Sequence, residues 1–149
     1  VALMEQRNFK AENFQVFHPG GKLGAQLATV GQLMHVGDQL PLVDVDLPMP
    51  ETLLEMTSKG FGVAAVIKNN SLVGVISDGD LRRHMAVLMA KKAKDIASPN
   101  PITVAQDQLA VEALRIMNTQ KINVLLVCDD CNRPVGILHI HDLLRASVA

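Results

Sequence analysis

Apolar positions along the chain alternate between two spacings. Gly62-Val63-Ala64-Ala65-Val66-Ile67 and Leu72-Val73-Gly74-Val75-Ile76 are short runs rich in β-branched residues, which suit a buried pleated surface. The polar Lys68-Asn69-Asn70-Ser71 between them predicts a hairpin turn. Upstream, Leu53 and Met56 mark one face of a helix that carries start signals over Asp46–Pro50 and stops near Gly60. Leu42, Val43 and Val45 predict a brief strand before it, and Val30–His35 a helical turn. Downstream, Ser77-Asp78-Gly79-Asp80 predicts a tight polar turn into a helix whose apolar face runs from Leu81 to Leu88 at i, i+7.

The same order then recurs. Ile102-Thr103-Val104 predicts a short strand and Asp107 an N-cap. Ala110, Ala113, Leu114 and Met117 lie on one helical face, and Val124–Val127 pairs by a hairpin with Val135–Leu138. Gly74 to Gly136 and Asp80 to Asp142 are steps of 62, whereas Leu53 to Leu114 and Met56 to Met117 are steps of 61. The one-residue difference is assigned to the longer turn Cys128–Pro134. Each copy is a β-α-β-β-α unit of about 60 residues, a size that buries only about 60% of its unfolded surface and is marginal alone. The expected fold is therefore α/β (α+β), with two pseudo-symmetric units packed sheet to sheet.

The units are placed at residues 28–90 and 91–149. Lys91, Lys92 and Lys94 between them are expected to keep the connection solvated. Residues 1–27 precede the repeat; Val1–Phe17 predict a short helical segment with Leu3 and scattered Phe9, Phe14 and Phe17, too sparse for a core. Their His18-Pro19-Gly20-Gly21-Lys22-Leu23-Gly24 is either a domain boundary or a catalytic loop whose domain lies upstream.

Composition narrows the classes. The 149 residues are 48% hydrophobic and 19% charged with a net charge of −1, whereas a duplex nucleic-acid binder needs a basic face. With no Trp, no Tyr and four Phe, platforms for base stacking are few. No apolar run reaches the roughly 20 residues of a membrane helix, and Glu5, Arg7, Lys10 and Glu12 interrupt any signal peptide. Two cysteines point to a reducing, cytoplasmic setting rather than a disulfide framework. A chain that opens on Val is expected to be a piece of a longer protein. Cys128-Asp129-Asp130-Cys131, with His139 and His141 after it, raises a metal reading. The histidines, however, lie a strand away, roughly 17–20 Å at about 3.3 Å per residue, against about 2.3 Å for zinc–sulfur bonds.

The duplicated strand, Ser77-x-x-Asp80 and helix resemble a cystathionine-β-synthase (CBS) domain, and two in tandem resemble a CBS pair, or Bateman module. Further stretches narrow the likeness: Phe17-His18-Pro19-Gly20-Gly21-Lys22-Leu23-Gly24, Leu33-Met34-His35-Val36-Gly37-Asp38, Asp78-Gly79-Asp80-Leu81-Arg82-Arg83 and His141-Asp142-Leu143-Leu144-Arg145-Ala146. Together they are similar to bacterial D-arabinose 5-phosphate isomerases, in which a sugar isomerase (SIS) domain precedes a CBS pair. That family interconverts ribulose 5-phosphate and arabinose 5-phosphate for 3-deoxy-octulosonate synthesis, in lipopolysaccharide or capsule.

The resemblance implies that residues 1–27 are the tail of the SIS domain and its linker. It makes His18 an active-site residue of the parent with a proton-transfer role, and the fragment alone inactive. It places nucleotide contacts at Ser77 and Asp80 in one crevice and at His139 and Asp142 in the other, with Thr103, Ile122 and Asn123 as crevice wall. An Asp can accept from a ribose diol, but Ser-x-x-Asp at a helix start equally resembles a capping box, so Ser77 and Asp80 carry both readings. The second unit departs from the first, with His139 replacing Ser77 and His141 replacing Gly79. His139 is either a phosphate donor or a packed strand-end histidine. No required cofactor follows. The effector is expected to be an adenine nucleotide or a cytidylyl-activated sugar, and the partners to be the protein's own SIS domain and further copies through CBS–CBS contacts. No nucleic acid or membrane partner is expected. The alternative is an oligomerisation module without a ligand.

Overall fold

A computed structural model describes residues 27–148. The first unit runs α1 (Val30–Leu33), a 3-10 turn (Gly37–Gln39), β1 (Leu42–Asp44), α2 (Met49–Lys59), β2 (Ala64–Lys68), β3 (Ser71–Ile76) and α3 (Asp78–Arg83). After a second 3-10 turn (Leu88–Ala90) come α4 (Ala93–Ile96), β4 (Ser98–Pro99), β5 (Thr103–Val104), α5 (Ala110–Gln120), β6 (Val124–Cys128), β7 (Pro134–His139) and α6 (Ile140–Arg145). The first sheet has the order β1-β2-β3-β4 and the second β5-β6-β7. In each, the leading strand is parallel to the next, and the following hairpin is antiparallel.

Alternation along the strands divides their side chains between two faces. Ala64 and Val66 face α2 and its Met49 and Met56, while Ala65 between them faces the other sheet. On β6, Leu125 and Val127 face the helices and Leu126 and Cys128 the other sheet. Leu40, Ala65, Leu72, Leu126, Cys128 and Ile137 make the buried layer between the sheets, so the units pack sheet to sheet as expected. The extra residue of the second unit does fall in its turn: Ile67 pairs with Leu72 across four residues, and its counterpart Cys128 with Pro134 across five.

Segments cross between the units. Ala28 and Val30 are buried in the second unit's helix-side core, and Ala93 and Ile96 in the first unit's. Equivalent hydrogen bonds hold both crossings. The Val30 amide donates to the Gln108 carbonyl and the Ala110 amide to the Ala28 carbonyl, at 2.8 and 2.7 Å. The Ala93 amide donates to the Leu47 carbonyl and the Met49 amide to the Lys91 carbonyl, both at 2.9 Å. Beyond each short helix the chain runs along a β-hairpin edge. Ser98 pairs with Val75, and His35 pairs with Ile137. The connection between the units is thus built into the first core; Lys94 lies on its surface, 3.1 Å from Asp46.

Two local expectations are corrected. Asp107 is not an N-cap: α5 starts after Leu109, and its first amide is satisfied by the crossing segment's Ala28 carbonyl. Leu81 and Leu88 do not share one helix. α3 stops at Arg83, the chain turns through i to i−3 hydrogen bonds, and Leu88 reaches the core from the 3-10 turn.

Candidate functional site: two buried helix-start carboxylates

Each hairpin delivers its last residue to a helix start that carries a buried aspartate. Asp80 is 2% exposed and Asp142 7%. Asp80 Oδ2 accepts from the Ser77 amide at 2.9 Å and the Ser77 hydroxyl at 3.1 Å. Asp80 Oδ1 accepts from the Ser98 hydroxyl at 2.5 Å and from the Arg83 guanidinium. Burial alone pushes the Asp80 carboxyl pKa up. The hydrogen bonds from Ser98, Ser77 and Arg83 together outweigh it and hold the group below the usual carboxylate value of 3.8. Ser77 and Asp80 are therefore brought together as a capping pair.

The second site has the same plan with different donors. Asp142 Oδ2 accepts from the His139 amide at 2.8 Å. Its Oδ1 accepts from Arg145 at 2.5 Å and from His35 Nε2 at 2.9 Å. His139 does not copy the Ser77 hydroxyl. Its Nδ1 accepts from the His141 amide at 3.0 Å, and the two rings lie 4.5 Å apart.

His35 links the units. Its ring packs against Phe61 of the first unit, centroids 5.1 Å apart and nearly edge-on, and its Nδ1 lies 2.7 Å from Gln39 Oε1. The residues that sequence reasoning missed are His35 and Ser98, the crossing-segment partners of the two carboxylates. A signal was present: Leu33-Met34-His35 and Ile96-Ala97-Ser98 are 63 residues apart, one more than the Asp80–Asp142 step.

The predicted crevice wall is divided. Asn123 stays with the second carboxylate, since its carbonyl accepts from the Ile140 amide at 2.8 Å, and Ile122 beside it follows the Lys121 C-cap of α5, its amide donating to the Met117 carbonyl. Thr103 lies beside Leu126, toward the hairpin end, and lines an open cavity of about 360 Å³ with Asp129, Asp130 and Asn132. Cys128 is buried at that end, its thiol pKa pushed up by burial and then by Asp129, while Cys131 is exposed. His139 pairs with Val124 at the other end of the hairpin. Among the described residues no group of His, Cys, Asp or Glu is arranged to hold a metal ion. His18 lies outside the described residues.

Burial is the largest cause that lowers the His139 imidazole pKa below its usual 6.5; His141, Arg145 and His35 add to it, and Asp142 opposes it. A lowered folded-state pKa makes the neutral ring the stabilising form. Its contribution is present above about pH 6.5 and lost as pH falls through the lowered value. The melting temperature should therefore fall as the pH drops below neutral. In His139→Asn, whose carbonyl can still accept from the His141 amide, scanning calorimetry should show a smaller fall. An equal fall in the variant counts against the assignment.

Two units of this topology, with duplicated helix-start carboxylates, define a tandem CBS module. The CBS-domain family model matches residues 30–87 and 93–149, and the chain belongs to that family. Among curated relatives, it is 43% identical to the arabinose 5-phosphate isomerase KdsD of Pseudomonas aeruginosa over 99% of this chain and 47% of that protein. It is 40% identical to KdsD of Escherichia coli K12 over 99% of this chain and 46% of that protein. The chain thus spans about half the length of the curated relatives it matches. Among solved structures, the CBS-pair protein CBSX2 of Arabidopsis thaliana superposes with TM-score 0.71 at 26% identity, over 81% of this chain and 94% of that one. CBSX2 in complex with AMP superposes with TM-score 0.71 at 27% identity, covering 81% and 96%. No helix among the described residues is long and apolar enough to cross a membrane.

Proposed function

We propose that the chain is the regulatory and assembly module of a cytoplasmic arabinose 5-phosphate isomerase. In this reading a SIS domain precedes it, His18 belongs to that domain's active site, and the chain alone does not isomerise. The parent converts ribulose 5-phosphate to arabinose 5-phosphate for 3-deoxy-octulosonate synthesis, and the CBS pair adjusts that activity on binding a nucleotide. The observation that carries the reading is the 43% identity to an isomerase over nearly the whole chain. The AMP complex of CBSX2 supports an adenine nucleotide as effector; a cytidylyl-activated octulosonate is the other candidate.

Isothermal titration of the chain with AMP, ATP and the cytidylyl-activated sugar tests the binding step, and isomerase assays of the full-length parent with each test the regulation. Saturable heat with one ligand, and a change in isomerase rate with that ligand, is the expected result. No heat with any of them rejects the sensing role. A second reading, assembly without a ligand, is favoured by the full occupation of Asp80 by internal donors. It requires that the chain self-associate in sedimentation experiments; a monomer beside an oligomeric parent counts against it.

A further inference from the structure

The two crossing segments repeat each other contact for contact. The Val30 and Gly31 amides donate to the Gln108 and Gln106 carbonyls, as the Ala93 and Lys94 amides do to those of Leu47 and Val45. The Ala110 amide donates to the Ala28 carbonyl as that of Met49 does to Lys91. Thr29 bridges Leu109 as Lys92 bridges Pro48, and His35 meets Ile137 as Ser98 meets Val75. Residues 28–35 therefore map onto 91–98 by a single step of 63.

In the first unit the structure also shows what leads into such a segment. Residues 85–90 reach Lys91 through the 3-10 turn Leu88–Ala90, which packs on α2. Leu88 is buried in the first core, while Ala86 is exposed. Carried back by 63, these positions are Lys22 to Leu27, with Ala25 at the place of Leu88. The second unit reaches that region from its other end as well. After α6 the chain buries Val148, the counterpart of Ala86 by the 62-residue step, in the second core, and its amide donates to the Leu143 carbonyl at 2.9 Å. The sizes are complementary: Leu88 with Ala86 in one unit, Ala25 with Val148 in the other, an exchange that keeps a close-packed core filled.

The face around the entry is more apolar in the second unit. Leu27, Leu109 and Val111 are exposed there, where the first unit has Ala90, Pro48 and Pro50. A segment lying across the start of α5 covers such side chains.

Deepening the assembly reading, we propose that the start of α5 and the end of α6 are the docking face for residues 22–26, which cross the second unit as residues 85–89 cross the first. Whatever precedes residue 22 is then carried by the second unit alone, because the connector fills the equivalent face of the first. Only the identity of that preceding part as a SIS domain rests on the proposed function.

Disulfide trapping tests the placement. In a Cys131→Ser background, Ala25→Cys is combined with Val148→Cys or with Ala86→Cys, and each chain is oxidised with glutathione disulfide. The counterparts of residues 25 and 148 are two residues apart, within about 7 Å, which a disulfide can span. The expected result is a 25–148 link, found by peptide mass and lost in dithiothreitol, and no 25–86 link. In the unaltered chain, amide exchange at residues 22–27 should be about tenfold or more slower than in an unstructured peptide. Ala25→Asp should remove that protection and leave residues 85–90 as they were. A 25–86 link, the absence of a 25–148 link in a chain that still unfolds cooperatively, or unprotected amides at 22–27 overturns the proposal. None of these outcomes touches the isomerase reading, which assays of the full-length parent decide.

Discussion

Replacing Asp80 by Ala lowers the unfolding free energy of the chain by about 3 kcal/mol at neutral pH, through two losses argued from the geometry. The first is the helix start, where the carboxylate accepts from the Ser77 amide; losing such a cap costs about 0.5–2 kcal/mol. The second is the site between the first unit and the crossing segment, where Ser98 and Arg83 lose their common acceptor. Arg83 is largely exposed and can turn to water, so the cost falls on the half-buried Ser98 hydroxyl and the vacated buried site, about 1–2 kcal/mol. Asp80→Asn is milder, since one oxygen remains to accept, although its amide hydrogens then oppose some of the same donors. The pH dependence follows from the sign of the shift. The folded carboxyl is held below its usual 3.8, so its stabilisation is full well above pH 4 and is lost as pH falls through the lowered value. The deficit of Asp80→Ala relative to the parent chain should therefore be large at neutral pH and shrink in acid. Urea denaturation of both proteins across that range measures it. A deficit below about 0.5 kcal/mol, the level of an ordinary surface change, or one that does not shrink in acid, would show that the carboxylate does not hold the crossing segment.

The repeat was legible in the sequence because both its periods are local. A strand needs alternation over five residues, and a helix needs Ala110, Ala113 and Met117 on one face. The turn that absorbs the extra residue was legible for the same reason. Long-range contacts were not. His35 stands among Leu33, Met34 and Val36 in a segment too short to show a period, and what gives it a role is Asp142, 107 residues away in sequence. Asp107 failed as a cap because the Ala28 carbonyl, supplied from far upstream, takes the helix's first amide. Leu88 was placed on a helix because its spacing from Leu81 fits one, and spacing alone cannot show that a helix stops at Arg83. At the candidate site, Ser77 and Asp80 were legible as a pair, but both readings of that pair need the same residues. The partners, including Ser98 from the crossing segment, show the pair as a capping box tied to the next segment.

The repeated glycines were seen in the sequence without a reason, and the crossing segments supply it. A Cβ on Gly74 would lie 2.8 Å from the Ser98 carbonyl oxygen and 3.1 Å from the Ala97 Cβ. A Cβ on Gly136 would lie 2.3 Å from the Met34 sulfur and 3.2 Å from the His35 carbonyl oxygen. Distance alone would make Gly136→Ala the worse change. The chemistry of the neighbour reverses the order: the Met34 thioether has three rotatable bonds and can swing aside, whereas the Ser98 oxygen is backbone, held in the β3–β4 pairing. Gly74→Ala should cost about 2–3 kcal/mol, in the range of overpacked cores, and Gly136→Ala about 1 kcal/mol. Pushing the Ser98 backbone away also draws its hydroxyl off Asp80. Gly74→Ala and Ser98→Ala should then share part of one loss, and the double variant should be less destabilised than the sum by about 0.5 kcal/mol or more. Equilibrium unfolding of the four proteins measures this. Strict additivity, or a larger cost at Gly136 than at Gly74, would mean that the β4 edge can move without releasing the carboxylate.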